Sequence, residues 1–219
     1  MKLKLILITV LAFGSMAHAQ GILSNLSIGL GFEGIFPAST FTRTLTEANF
    51  SAGGTQSTTT SVGAVVDGRY DFGRHSAVGL ALTLNRNSEL FYNNFGQGLA
   101  RVKTNNGELI GTYIFRLPAN ERVKPYAMFG GGLVRFSPID GGFTTGGTPQ
   151  ADTKPAFAYG FGTDLKVSDH WAVRLQYRGL LRSAPGFKLP ANSGDSSSNF
   201  GSALRTHVPE PSIQAVYHF

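Results

Sequence analysis

From residue 20 onward, apolar and polar residues alternate with a period of two along most of the chain, and helical periodicity is nearly absent. Alternation of this kind is typical of β-strands that bury only one face. Eight strands are predicted, at about 25–36, 58–72, 76–84, 102–117, 124–136, 154–166, 171–181 and 211–219. The sequence therefore predicts an all-β protein.

The connections between these strands also alternate, in length. Short turns follow the second, fourth and sixth strands, at 71–75, 117–123 and 167–170. Long loops rich in Gly, Ser, Thr and Asn follow the others, at 37–57, 85–101, 137–153 and 183–205. Short turns at one end and long loops at the other are typical of outer-membrane β-barrels. We therefore expect an eight-stranded antiparallel up-and-down transmembrane barrel in the cell outer membrane, with both termini in the periplasm.

Residues 1–19 have the features of a secretory signal peptide. Lys2 and Lys4 precede an apolar run at 5–13, and Ala17-His18-Ala19 fits the small-residue cleavage rule. The run is shorter than the roughly 18 residues that a membrane anchor needs, which disfavours an anchor. We expect cleavage after Ala19 and one barrel domain over residues 20–219.

Composition narrows the possible functions of this domain. Loss of the two signal lysines lowers the net charge from +6 to +4, and no basic run or basic–aromatic patch predicts a nucleic-acid partner. The chain has no cysteine, which excludes disulfides, thiolate catalysis and cysteine metal sites. Residues 20–219 contain no continuous apolar run long enough for a transmembrane helix.

The chain ends in the alternating strand 212–219, with the aromatic residues Tyr217 and Phe219 on one face. A soluble up-and-down barrel such as a lipocalin is the alternative fold. It would point its apolar residues inward and would leave charged residues such as Arg174 and Arg178 outside. The signal peptide, the terminal Phe219 and the alternation of loop lengths favour the membrane barrel.

Several segments together resemble the OmpA-like outer-membrane β-barrel domain family. They are a Pro-Tyr, glycine-rich strand at 124–132, a Gly-x-Gly strand at 158–162, a short turn with an aromatic residue at 168–171, an Arg-x-x-Tyr-Arg strand at 174–178 and the ending Tyr217-His218-Phe219. The likeness covers nearly all of the chain after the signal peptide.

This resemblance implies that Tyr217 and Phe219 form a signal that the barrel-assembly machinery reads. In contrast to full-length OmpA, we expect the protein to consist of the barrel alone, without a peptidoglycan-binding domain. We therefore do not expect a role in tethering the cell wall.

Eight strands enclose an interior that is only wide enough for side chains. Buried charges are costly unless they are paired, so we expect the inward-facing charged residues and Glu210 to form an ion-pair network that fills the lumen. Besides Glu210, the expected members of this network are Glu33, Asp67, Arg69, Glu108, Arg116, Arg135, Asp164, Lys166, Arg174 and Arg178. It is either a plug that fixes strand register or a gate that admits small solutes, and the narrow lumen favours the plug.

An enzyme that modifies lipid A is an alternative function. Only His207 lies suitably near the outer end of its strand, with Ser202, Asp195 and Glu210 as conceivable partners. No recognisable motif joins these residues, and no His, Asp and Glu set has the spacing of metal ligands. We therefore expect a non-enzymatic protein without cofactor or metal.

The remaining expectations concern partners. The external loops 37–57 and 183–205 are long and polar, so they either bind a surface ligand or vary without a fixed partner. Outer-membrane lipid, lipopolysaccharide and the barrel-assembly machinery are the other expected partners of this monomeric barrel. Its expected role is envelope integrity or surface interaction, with weak permeation as the alternative.

Overall fold

A computed structural model describes residues 24–37, 41–47, 50–93, 98–118, 120, 122–143, 148–187 and 205–219. Side chains are described for these residues except 41–47, 50–55, 93, 98–100, 141–143 and 205. The predicted signal peptide, Asp195 and Ser202 lie outside the described residues.

Ten β-strands make up this part of the chain. They are β1 (Leu26–Ile35), β2 (Phe41–Glu47), β3 (Phe50–Thr58), β4 (Ser61–Asp71), β5 (Ser76–Asn93), β6 (Gly98–Arg116), β7 (Val123–Phe143), β8 (Asp152–Lys166), β9 (Trp171–Ser183) and β10 (Arg205–His218). No helix in the described ranges is long and apolar enough to cross a membrane.

Eight of these strands close into a barrel in the order β1-β4-β5-β6-β7-β8-β9-β10, and every neighbouring pair is antiparallel. The closing pair is β1 with β10, in register from Ser27 opposite His218 to Glu33 opposite Ser212. The predicted all-β, eight-stranded antiparallel barrel is therefore confirmed. We call the end with the turns at 72–75, 117–122 and 167–170 the short-turn end, and the opposite end the long-loop end.

The predicted loops at the long-loop end are shorter than expected, because strands extend into them. The loop at 37–57 contains the hairpin of β2 and β3, and β3 continues the line of β4 along β5, with Gly54–Thr58 opposite Glu89–Asn93. The β5–β6 ladder takes up most of 85–101, and β7 extends to Phe143. Polar residues continue these ladders because each neighbouring strand offers partners for backbone N–H and C=O groups. One side of the barrel wall is therefore taller than the other.

The barrel wall is apolar on the outside and polar within. In β9, for example, Leu175 is 42% exposed on the outer face, while Arg174 and Arg178 are buried inside. Leu30, Phe32 and Phe161 are also more than half exposed on the outer face. A soluble barrel would have the opposite arrangement, since large apolar side chains avoid water.

The prediction for β7 was wrong in the direction of its faces. Arg135 was predicted inside, which would put Tyr126, Met128, Val134 and Phe136 outside, but all four of these residues are buried inside the barrel. Phe129 and Leu133 of the same strand face outward, with 56% and 54% exposure. Both faces of β7 are apolar, so its alternation gives little information about which face is inside.

Candidate functional site

The lumen is organised by three arginines of β9. Arg174, Arg178 and Arg182 are spaced four residues apart and face inward, with 0%, 1% and 3% exposure. At about 3.3 Å per residue, successive members lie roughly 13 Å apart along the strand. This arginine row runs from the short-turn end to the long-loop end, and each member has a different environment.

Arg174 holds two aspartates near the short-turn end. Its Nε and Nη2 donate to the two carboxylate oxygens of Asp164 at 2.7 and 2.9 Å, and its Nη1 donates to Asp67 Oδ1 at 2.6 Å. The bidentate geometry fixes the planes of both groups and is a strong form of ion pair. Because Asp67 is on β4 and Asp164 on β8, the contacts of Arg174 tie together distant parts of the wall.

We call the part of the lumen around Arg174, near the short-turn end, the first layer. Two further arginines belong to it. Arg69 donates to Asp67 Oδ2 at 3.1 Å and to Gln176 Oε1 at 2.6 Å, and its guanidinium lies 4.4 Å from the centre of the Tyr126 ring. Arg116 donates to Asp71 at 2.6 and 2.8 Å from its Nη2 atom. The charged groups of this layer are therefore paired or hydrogen bonded across the lumen.

Arg178 lies in the middle of the lumen, which is the second layer, and contacts three glutamates. Its Nε donates to Glu210 Oε2 at 2.7 Å, and its Nη2 donates to Glu33 Oε1 at 2.8 Å and Glu108 Oε2 at 3.0 Å. All three glutamates have no exposed surface. One oxygen from each lies within 4.8 Å of the others, a spacing that a metal ion could also bridge. Here the guanidinium of Arg178 supplies the positive charge among them.

The third layer lies around Arg182, toward the long-loop end, and is mainly apolar. The Arg182 guanidinium lies 4.7 Å from the centre of the Phe136 ring, and its Nη1 atom is 4.0 Å from Glu108 Oε1. Phe187, which follows β9, has a positive φ of 51° and packs its ring edge-on against Phe91 at 6.3 Å. Both phenylalanines are fully buried. The segment after β9 therefore turns inward over the lumen.

Sequence reasoning missed several members of this interior. Arg182, Phe91, Phe187 and Glu89 lie beyond the predicted strands or in predicted loops. Glu89 is fully buried and accepts hydrogen bonds from Thr58 and Gln56. Arg182 could have been predicted from its spacing, because it follows Arg174 and Arg178 at the same four-residue interval on one face of β9.

Nine of the eleven residues predicted for the lumen network, Glu210 included, take part in the contacts described above, and two do not. Arg135 faces outward because the faces of β7 are reversed relative to the prediction. Lys166 is exposed at the short-turn end, where its Nζ lies 2.8 Å from Asp169 Oδ1. The hydrogen bond and charge of Lys166 lower the pKa of Asp169. Lys166 is at an inward-facing position of β8, as predicted, but it lies past the end of the enclosed lumen.

The conceivable catalytic residues are not brought together in the described part of the chain. His207 Nε2 lies 3.0 Å from the hydroxyl of Tyr159, and the two rings stack at 5.9 Å. Glu210 is on the opposite face of β10 and binds Arg178 inside the lumen. Asp195 and Ser202 lie outside the described residues. His207 is therefore an outward-facing residue that pairs with tyrosine.

The terminal aromatic residues form a cluster at the short-turn end. The Phe219 ring meets Tyr217 edge-on at 5.0 Å, and Tyr217 meets Trp171 at 5.1 Å. The backbone N–H of Phe219 donates to Leu26 O at 3.3 Å. These contacts anchor the end of β10 beside the beginning of β1.

Comparison with known proteins places this architecture in a family. Residues 5–204 match the family described as "Outer membrane protein beta-barrel domain". No curated protein matches the sequence. The structure of the outer membrane protein OprG from Pseudomonas aeruginosa is similar, with a TM-score of 0.55 and 15% identity over 90% of this chain and 97% of that one. The outer membrane protein AlkL in DMPC lipid bilayers has a TM-score of 0.53 and 17% identity over 94% of this chain and 95% of that one. These identities show a shared fold, and the match to the family model confirms the predicted class: the chain belongs to the outer-membrane protein β-barrel domain family.

Proposed function

We propose that this protein is a non-enzymatic outer-membrane barrel that supports envelope integrity by binding the phosphate groups of lipopolysaccharide. The observation that carries this proposal is a group of cations on the outer face of β5, β6 and β7. We call it the outer cationic patch, and it consists of Arg86, Arg101, Lys103 and Arg135, all exposed.

The outer cationic patch has an excess of positive charge. Lys103 lies 3.5 Å from Asp140, which is itself exposed, and Arg86 donates from Nε to the side-chain oxygen of Asn105 at 2.8 Å. Arg101 and Arg135 have no ion-pair partner among the residues whose side chains are described. Four cations and one carboxylate leave three positive charges on this surface. An arginine-rich surface of this kind suits phosphate oxygens, because guanidinium groups can donate two hydrogen bonds to them.

The position of the outer cationic patch fits the surface of a bilayer. Arg86 follows Leu84 by two residues on β5, and Arg135 follows Leu133 by two residues on β7. Leu84 and Leu133 face outward with 57% and 54% exposure. Two residues correspond to about 7 Å along a strand. The cations therefore begin where the apolar wall ends, which is where lipid headgroups lie.

This proposal requires the long-loop end to face the cell exterior. An even strand count puts both termini at the short-turn end, which in this family's architecture faces the periplasm. Phe219 would then lie where the barrel-assembly machinery acts. Protease accessibility of a tag inserted in the short turn after β8, in intact cells and in lysed cells, tests this orientation and leaves the chain end at Phe219 unchanged.

Lipid A with and without its phosphate groups tests the binding proposal. Folded protein in detergent is titrated with each lipid, and we compare wild type with the double variant Arg86→Gln/Arg135→Gln. We expect the double variant to bind phosphorylated lipid A about tenfold more weakly, a change of roughly 1.4 kcal/mol. Lys166→Gln removes a charge at the opposite end and is the matched control.

Two results would contradict the proposal. One is equal binding of phosphorylated and dephosphorylated lipid A by the wild type. The other is unchanged binding by the double variant when its folded state is intact. Hydrolysis of lipid A by the wild-type protein would instead support the enzyme alternative, and the variant His207→Ala would identify the residue responsible.

A further inference from the structure

A second group of cations lies at the opposite end of the barrel. The turn 72–75 and the turn 117–122 border a pocket of about 470 Å³ that opens at the short-turn end. Its polar lining includes Asp71, Arg74, His75, Arg116, Asn120 and Lys124. We call it the short-turn pocket.

The short-turn pocket is closed on its inner side. Asp71, Arg116 and Lys124 occupy the last inward-facing positions of β4, β6 and β7. The next inward residues on the same strands are Arg69, Ile114 and Tyr126, which are 2%, 0% and 1% exposed. Because these side chains are tightly enclosed, the pocket is a blind recess, and its shape suits binding better than passage.

The carboxylate in the pocket is already neutralised. Asp71 accepts hydrogen bonds from Arg116 on both of its oxygens, at 2.6 Å on Oδ1 and 2.8 Å on Oδ2. Arg74 and Lys124, in contrast, have no carboxylate partner within the described ranges. Among the lining residues that the structure describes, three cations and one carboxylate therefore leave two uncompensated positive charges.

One polar neighbour of these cations, Asn120, has hydrogen-bond donors to spare. The side-chain oxygen of Asn120 accepts from the backbone N–H groups of Arg122 and Val123, which leaves its NH₂ group available. His75 donates from Nδ1 to the carbonyl oxygen of Arg116 at 3.2 Å, so Nε2 of the neutral imidazole is an acceptor and adds no donor to the recess. A guanidinium, an ammonium and an amide around one recess can satisfy several oxygens of a single anion.

We propose that the short-turn pocket binds a phosphate group. A phosphate monoester carries a charge of about −1.5 to −2 at neutral pH, which matches the two uncompensated positive charges. The phosphate group comes either from a soluble phosphate in the surrounding water or from the headgroup of a phospholipid at the rim of the barrel. Basic pockets at membrane surfaces recognise lipid headgroups by the same charge and hydrogen-bond chemistry.

Titration of folded, detergent-solubilised protein with inorganic phosphate tests the soluble source. The lipid source is tested by native mass spectrometry of protein released from vesicles that contain equal amounts of phosphatidic acid and phosphatidylcholine. We expect saturable binding in at least one experiment, weakening as ionic strength rises. The variant Arg74→Gln/Lys124→Gln should lose about tenfold in affinity or in lipid enrichment.

Lys166→Gln is the matched control, because it removes a charge at the same end but does not line the pocket. The single variant Arg74→Gln, in an exposed turn, replaces the double variant if the latter does not fold. Binding of phosphate alone identifies a soluble ligand, and enrichment of phosphatidic acid alone identifies a lipid. Absence of saturable binding in both experiments, or equal loss of binding in Lys166→Gln, would overturn the proposal.

Discussion

At the scale of single residues, Arg178 is the central cation of the lumen, because its guanidinium forms ion pairs with three buried carboxylates. The variant Arg178→Ala leaves Glu33, Glu108 and Glu210 together without this partner. Removing one member of a buried ion pair typically costs about 3–5 kcal/mol, since an uncompensated charge remains. We expect a loss of that size in the free energy of unfolding. Urea unfolding, followed by fluorescence of the single tryptophan, measures it.

Arg135→Ala provides the control for that measurement. Arg135 is on a neighbouring part of the same barrel wall, but its side chain is exposed on the outer face. Surface substitutions usually change stability by about 0.5 kcal/mol or less. Equal destabilisation by the two variants would mean that the lumen network is not what stabilises the barrel.

The contrast between Arg178 and Arg135 also shows how far a sequence predicts the faces of a strand. In β9 apolar and polar residues alternate strictly from Val173 to Arg178, so burial of Arg174 and Arg178 follows from the pattern. In β7 aromatic and aliphatic residues occur at both parities, because the lumen has two apolar clusters. One lies toward the short-turn end and includes Tyr126 and Met128, and the other lies toward the long-loop end and includes Val134 and Phe136. Periodicity gives the period of a strand, but it does not identify the inner face when both faces are apolar.

At the scale of whole strands, the barrel is asymmetric. β5, β6 and β7 have 18, 19 and 21 residues, whereas β1 and β4 have 10 and 11. The eight membrane strands were predictable from alternation, because an apolar face must meet lipid. Their polar extensions were not, because hydrogen bonding to a neighbouring strand leaves no apolar signal in the sequence. Arg86 and Arg101 of the outer cationic patch lie in these extensions, and Arg135 was predicted on the inner face, which explains why the sequence did not reveal the patch.

The end of β10 gives a prediction about assembly. Phe219 is 46% exposed, and its ring contacts only Tyr217 among the described aromatic residues. The register of β10 with β1 is formed by backbone pairs from Ser27 to Glu33 and does not depend on the Phe219 side chain. We therefore expect Phe219→Ala to refold in detergent as well as wild type, with a stability loss of about 1 kcal/mol or less. In cells, we expect it to reduce the amount of folded barrel in the outer membrane.

Phe161→Ala is the control for the assembly experiment. Phe161 is also an outward-facing aromatic residue beside a tyrosine, with 63% exposure and a 5.4 Å contact to Tyr177. The amount of folded protein, both after refolding in detergent and in cells, is read from the migration of unheated protein on gels, which separates folded from unfolded barrels. If Phe219→Ala lowers refolding in detergent as much as it lowers yield in cells, its side chain acts on stability. The proposal of an assembly signal would then be wrong.

At the scale of the whole molecule, successive layers occupy the lumen from one end to the other. Arg116 and Asp71 lie at the short-turn end, Arg174 and Arg178 follow, and Phe187 covers the long-loop end. An eight-stranded barrel has an interior that side chains fill. The strand count and the inward charges made a filled lumen predictable, while its apolar cover was not, because Phe187 comes from a segment with no strand pattern.

This layered lumen should not conduct ions. In planar bilayers we expect wild-type protein to give no discrete conductance steps, because Arg174 and Arg178 are each held by carboxylates on at least two other strands. The double variant Arg174→Ala/Arg178→Ala removes two large side chains from consecutive layers and is compared with it under the same conditions. Steps in the double variant alone would mean that these side chains block a path for ions, as a plug does. Conductance steps in the wild type would contradict the closed lumen. They would favour the gated pore, because ions could pass the native lumen only if its ion pairs rearrange.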